Sequence, residues 1–230
     1  MNTANYQLSQ RIQAYLHVLS VYATFMQNHV TVCRRYCSHC CTSNVTMSTI
    51  EGNIINSYLQ EHLPLYWRDI LNPESNPKRF QPKMTINQLA RYCYEDADIP
   101  EESIEPQSGE CPFLKNHECM IYEVRPFACR SFVSKELCAD HGSALVDPIV
   151  LTMNELCMQY IEHIDRNGFT GNLIDVLRYL KRSEDVLQEN LTEHLVHNSP
   201  IHVLMIPNEH QQTILPYIEQ LQGSMAKTKK

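Results

Sequence analysis

The sequence predicts a mainly α protein, with helices around a small irregular cysteine-rich module that carries a short β-hairpin. Three observations predict it. Apolar residues recur at helical spacing over most of the chain, capping signals precede several of those runs, and the periodicity stops where cysteines gather. With 230 residues, 43% of them apolar, the chain is long enough for a sizeable core.

The elements follow in order. Leu8, Ile12, Tyr15, Leu16, Leu19, Ala23, Met26 and Val30 mark one face of a helix from about Tyr6 to Val30. Ser48 and Glu51 stand in capping-box spacing ahead of Ile50, Ile54, Ile55, Tyr58, Leu59 and Leu63, and Pro64 stops this second helix. The three prolines of "LNPESNPKRFQPK" (71–83) predict an irregular connection, after which Thr85 and Gln88 repeat the capping spacing before a helix through Ala97. "DADIPEESIEPQSGE" (96–110) is an acidic, solvated loop by composition, of a kind that also supplies carboxylates to a neighbouring site.

From Cys111 to His141 helical periodicity is weak, and Phe113, Ile121, Tyr122 and Val124 predict a small hairpin and a tight turn. Asp147-Pro148 starts a helix carrying Ile149, Met153, Leu156, Tyr160, Ile161 and Ile164. Gly168 and Gly171 read as an interhelical turn, followed by a helix from about Asn172 to Val196. "IHVLMI" (201–206) reads as a short strand and "NEHQQTILPYIEQLQ" (208–222) as a terminal helix interrupted or bent at Pro216. The expected organisation is a helical domain over residues 1–145 that bears the cysteine module, and a helical C-terminal region over 146–230 that packs on it and ends in a basic tail at 227–230.

Charge narrows the partners. Nineteen Lys and Arg against 26 Asp and Glu give a formal charge of −7 and a pI near 5.9. Such a surface lacks the overall positive charge that draws nucleic acid through counterion release, so no nucleic-acid partner is expected. No stretch approaches the length of a membrane span, and no basic leader precedes an apolar run, so the expectation is no membrane and a cytoplasmic location. In that reducing compartment clustered cysteines point to metal ligands or catalytic thiols rather than to structural disulfides.

"CRRYCSHCC" (33–41) places Cys33, Cys37, Cys40 and Cys41 within nine positions. On a helix these would form one stripe about 12 Å long at 1.5 Å per residue, whereas sulfurs sharing one zinc lie only ~4 Å apart. A single metal on a regular helix is excluded. Either the chain leaves the helix here to form thiolate knuckles, or the sulfurs divide between two metals or a polynuclear cluster. Cys111, Cys119, Cys129 and Cys138 bring the candidate ligands to eight, which suits two four-thiolate sites or one multinuclear centre. Arg34, Arg35, Arg125, Arg130 and Lys135 are candidates to offset thiolate charge. Cys93 and Cys157 each stand alone in an amphipathic helix and read as packing residues, and His117 and His141 rank below the eight cysteines as ligands.

"CRRYCSHCC" followed by "CPFL…HECMIYEVRPFACRSF" resembles the YkgJ-type CxxCxxCC cysteine-cluster family. Cys119, Ile121, Tyr122, Arg125, Pro126, Cys129 and Arg130 carry the second motif, while Cys33 and Cys37 are separated by three residues rather than two. The resemblance covers residues 33–41 and 111–138 and is not expected to reach residues 145–230. It implies a protein that chelates zinc or iron. Both zinc and an iron-sulfur cluster accept four thiolates, so spacing alone leaves both open.

Two other functions fit parts of the pattern. Cys33-x3-Cys37-x2-Cys40 has the spacing of radical S-adenosylmethionine enzymes, and the cysteine region also looks similar to that of flagellin lysine methylases, which would make the chain a methyltransferase-like or iron-sulfur enzyme. Against this, a long helix rather than a barrel strand precedes the motif, and the six glycines include no G-x-G-x-x-G. Cys37-Ser-His-Cys40 has the C-x-x-C spacing of thiol-redox proteins but lacks their βαβ setting.

Overall fold

A computed structural model describes residues 3–64, 78–102, 109–181 and 192–225 of the chain. The fold is mainly α. Along the described residues run α1 (Thr3–Met26), β1 (Thr46–Ser48), α2 (Thr49–His62), α3 (Ile86–Glu95), β2 (Leu114–Lys115), β3 (Glu118–Cys119), α4 (Phe127–Ser131), α5 (Cys138–His141), α6 (Pro148–Ile164), β4 (Phe169–Asn172), α7 (Leu173–Leu180), β5 (Leu195–His197) and α8 (Gln211–Met225). β2 and β3 form the predicted hairpin, and β1, β4 and β5 form an antiparallel sheet with β4 in the middle.

Two apolar clusters hold these elements. In the first, Ala14, Val18, Val21 and Phe25 of α1 pack with Met153, Leu156, Cys157 and Tyr160 of α6 and with Ile214 and Leu221 of α8. The Val, Leu, Ile, Phe and Met side chains among them each contribute roughly 1.5–3 kcal/mol on leaving water. This buried face is rotated from the predicted stripe: Tyr15 is inside, but Leu16 is 44% exposed and Val30 lies beyond the helix end. The second cluster joins Ile55 and Leu59 of α2 to Ile174, Val176 and Leu177 of α7, and it takes in Phe113 and Ile121 from either side of the hairpin. The cysteine-rich segment is thereby pinned to the helices by two fully buried side chains.

Both predicted capping boxes form, Ser48 with Glu51 on α2 and Thr85 with Gln88 on α3. Pro148 opens α6 as its first residue. Elsewhere the structure corrects the sequence. Gly168 and Gly171 do not make an interhelical turn: Gly171 lies inside β4, paired with Met47 on one side and Leu195 on the other. The helix predicted from Asn172 to Val196 ends at Leu180, and Leu195–His197 pairs with β4 instead, because that edge offers backbone partners; residues 182–191 lie outside the described residues. Residues 201–206 form no strand. Side chains of α6 take their backbone donors, His163 Nδ1 accepting from Ile201 N and Gln159 Oε1 from Met205 N. Helix α8 runs uninterrupted through Pro216. Most of the irregular connection predicted at 71–83, residues 71–77, lies outside the described residues, as do 103–108 of the acidic loop and the tail at 227–230; residues 78–83 carry no helix or strand.

The lone cysteines part company. Cys157 is fully buried in the first cluster, as expected, but Cys93 is exposed, because α3 turns its buried residues Asn87 and Ala90 inward and Cys93 away. Cys157→Ser is therefore expected to lower unfolding free energy by about 1–3 kcal/mol, the cost of a buried hydroxyl without a partner. Cys93→Ser is expected to leave it within about 0.5 kcal/mol. Denaturant unfolding of both variants checks this contrast.

The start of α2 is anchored from outside. Asp165, just after α6, accepts hydrogen bonds from Ile50 N and Thr49 Oγ1 and pairs with Arg11 of α1 at 2.9 Å. Burial nevertheless pushes its carboxyl up to about 6. A raised folded-state value means that the contribution of this group to stability is complete below the ordinary carboxylate range near 4 and is lost as pH rises through about 6. The advantage of the parent over Asp165→Asn is expected to be largest near pH 4 and to shrink by on the order of 3 kcal/mol by pH 7. Chemical unfolding of both proteins across that range measures it.

Candidate metal centre

Residues 33–41 leave the helical path, as one of the two geometric options required. Short turns close Cys37 N onto Arg34 O and Cys41 N onto Ser38 O, and Tyr36 inside the first takes a positive φ of 71°. Such a backbone reverses direction within a few residues and spreads the thiols around a concave surface instead of along a rod. At one end, Ser134 holds the segment: its N–H donates to Cys33 Sγ at 3.2 Å and its carbonyl accepts from Val32 N.

At the other end the two motifs are laced together. Cys111 N donates to Cys41 O, Ser43 N donates to Gly109 O, and Thr42 bridges Glu110 in antiparallel sense. The hairpin then returns Cys119 opposite Leu114. Its two-residue turn, Asn116-His117, has positive φ at both positions (52° and 62°), the conformation required by a type I′ connection. His117 faces Ser38 across the motifs at 3.1 Å.

Cys129 sits on the short helix α4, whose position depends on a buried carboxylate. Glu51 of α2 accepts from Phe127 N at 2.6 Å, from Ser48 N and Oγ at 2.9 Å each, and from the Tyr15 hydroxyl. The first backbone donor of α4 would otherwise be an orphan in the core. In the sequence Glu51 reads only as a cap of its own helix; its second role pairs residues 76 positions apart and leaves no local signal.

Seven of the eight predicted ligands, Cys33, Cys37, Cys40, Cys41, Cys111, Cys119 and Cys129, border one cavity of about 760 Å³. Cys138 does not; it opens α5 beside Glu136 and His141, which pair with each other at 2.6 Å. The thiols inside are electrostatically strained. Burial raises Cys129, and the nearby Cys111, Cys119 and Cys40 raise it further. Burial also pushes Cys111 up to about 11 and raises Cys119 against the opposing pull of Arg125 and Arg35. Cys40 is raised chiefly by its hydrogen bond to Cys41, whose own value falls because it accepts that bond. A cavity that crowds thiols faster than it supplies positive charge fits a thiophilic metal, because a bound cation stabilises several thiolates at once. Among the described residues no three Cys, His, Asp or Glu side chains already form a metal-holding group.

The cations predicted to offset this charge are largely committed elsewhere. Arg35 pairs with Glu118 at 2.7 Å, Arg125 stacks 3.8 Å over the Tyr122 ring and donates to Tyr122 O, Arg130 donates to Arg125 O and Glu123 O, and Lys135 pairs with Asp147. The bonds of Arg125 and Arg130 brace the backbone of the second motif. Arg125 and Arg35 still lower Cys119, though less than burial raises it.

The family follows from this site. A sequence model described as "CxxCxxCC: Putative zinc- or iron-chelating domain" matches residues 32–158, more than half of the chain, and the protein belongs to that family. The match runs on into α6, so the likeness does not end before residue 145. No curated relative and no solved structure matches the chain.

Glu51→Gln tests the support of this site. The variant places an amide NH2 against backbone or hydroxyl donors that a carboxylate accepts, at a cost of about 1–3 kcal/mol. Lower stability and faster loss of metal to a competing chelator are the expected outcome, read by denaturant unfolding and by chelator titration.

Proposed function

We propose that the protein chelates zinc or iron through this cysteine cavity. Cys41, Cys111, Cys119 and Cys129 form the first four-thiolate set, with Cys33, Cys37 and Cys40 beside it for a second ion or a cluster. The observation that carries the reading is the convergence on one cavity of thiols from both motifs. Further support comes from the mutual electrostatic effects among Cys41, Cys111, Cys119 and Cys129. The sulfurs draw together as the metal enters, and the turns around Tyr36 are the part of the backbone that adjusts, while Glu51 holds α4 in place. Bound metal supplies the positive charge that the thiolates lack.

Metal uptake displaces protons, because burial holds the Cys111 and Cys129 thiols in their protonated form at neutral pH. Apparent affinity therefore falls as pH is lowered. Anaerobic purification with metal and sulfide analysis separates the two chemistries: iron with matching sulfide indicates a cluster, and zinc without sulfide indicates four-thiolate sites. Cys41→Ser and Cys129→Ser are expected to lose metal and thermal stability together, whereas Cys93→Ser keeps the parental metal content. Full retention in both motif variants, or loss from Cys93→Ser, overturns the ligand assignment.

A further inference from the structure

The cavity is far larger than its metal needs. A four-thiolate site with bonds of ~2.3 Å fills a sphere of about 50 Å³, so even two such sites leave most of the roughly 760 Å³ over. What remains lies in the size range of small-molecule pockets, about 300–1,000 Å³. Its walls are not made of cysteine alone. Leu19, Ala23 and Met26, from the stripe of α1 that does not enter the centre of the core, line one side. Tyr36 and Phe132 also line the cavity yet are 63% and 58% exposed, which puts two aromatic rings at its rim.

Arg34 borders the same cavity and is exposed. Among the described residues it makes no ion pair or hydrogen bond through its side chain, whereas Arg35, Arg125, Arg130 and Lys135 all do. A free guanidinium beside apolar and aromatic surface favours an organic anion. One guanidinium matches one carboxylate, and a dianion such as a phosphate monoester would meet more repulsion from the adjacent thiolates.

We propose that the cysteine cavity, once it holds its metal, also takes a small organic carboxylate, its acid group paired with Arg34 and its apolar body against Leu19, Ala23 and Met26 and beneath Tyr36 and Phe132. This rests on the chelation reading above. The carboxylate is a ligand of the protein wall, and its apolar part displaces water from the α1 side of the cavity.

The test uses the full chain loaded with zinc, its metal content measured before every titration. Hydrocinnamate, hydrocinnamyl alcohol and hydrocinnamylamine serve as calorimetric probes of one shape and three charges. Hydrocinnamate is expected to bind at least about tenfold more tightly than the other two, the scale of a charge-assisted hydrogen bond. Arg34→Gln removes that preference, and Ala23→Trp, which fills the apolar side from an exposed helix position, weakens binding of the carboxylate. Zinc-loaded parent that ignores hydrocinnamate, that binds the alcohol equally well, or that keeps its preference in Arg34→Gln overturns this inference alone. A chain that takes up no metal overturns the chelation reading and this inference with it.

Discussion

The N-terminus of α2 is where the fold is fastened. Glu51 and Asp165 bring two carboxylates out of water there, and each is satisfied by donors from separate parts of the chain: Tyr15, Ser48 and Phe127 for the first, Arg11, Thr49, Ile50 and Asn198 for the second. Placing these acids at a helix N-terminus also sets them where the helix dipole favours negative charge. Both carboxyls are raised by burial despite those bonds. The arrangement gains less in net energy than in definition, because any displacement of α1, of α4 or of Asn198 at the end of β5 leaves a buried polar group unpaired. The cysteine cavity inherits its shape from that constraint.

Within the cavity the balance is of a different kind. Arg125 of the second motif and Arg35 of the first stand close enough to oppose the raising of Cys119, yet burial wins, and the nearby Cys111, Cys119 and Cys40 raise Cys129 further. The polypeptide thus assembles a group of soft donors that it does not itself neutralise. Membership of the family and this electrostatic deficit agree, and both rest on the same two cysteine motifs.

How much of this was legible depends on the range of each signal. Capping boxes at Ser48 and Thr85, the Pro148 helix start and the tight hairpin are written in three or four adjacent residues, and each formed. The convergence of seven cysteines followed from their clustering in two short segments. The sheet was not legible, since β1 pairs with β4 across more than a hundred residues through strands of three or four residues that are too short to show alternation. The buried face of α1 departs from the predicted stripe because its apolar residues extend around more than one side, and part of that surplus lines the cavity instead of the core. Cys138 shares the composition of the second motif but begins a helix after the chain has turned away.

The lacing of residues 41–43 to 109–111 has a kinetic side. Thr42 and Glu110 at the middle of this ladder are 68 positions apart, so the ladder that shapes the cavity forms only after a long loop has closed. Loop closure on that scale is slow relative to helix formation, and it yields no stabilising contact until the ends meet. The hairpin and the helices are local and assemble early, while the two halves of the thiol group reach each other late. An ion captured by one motif in the open chain would tether the second once it arrived and shorten that search, so the order in which metal and fold come together sets how fast the native protein appears.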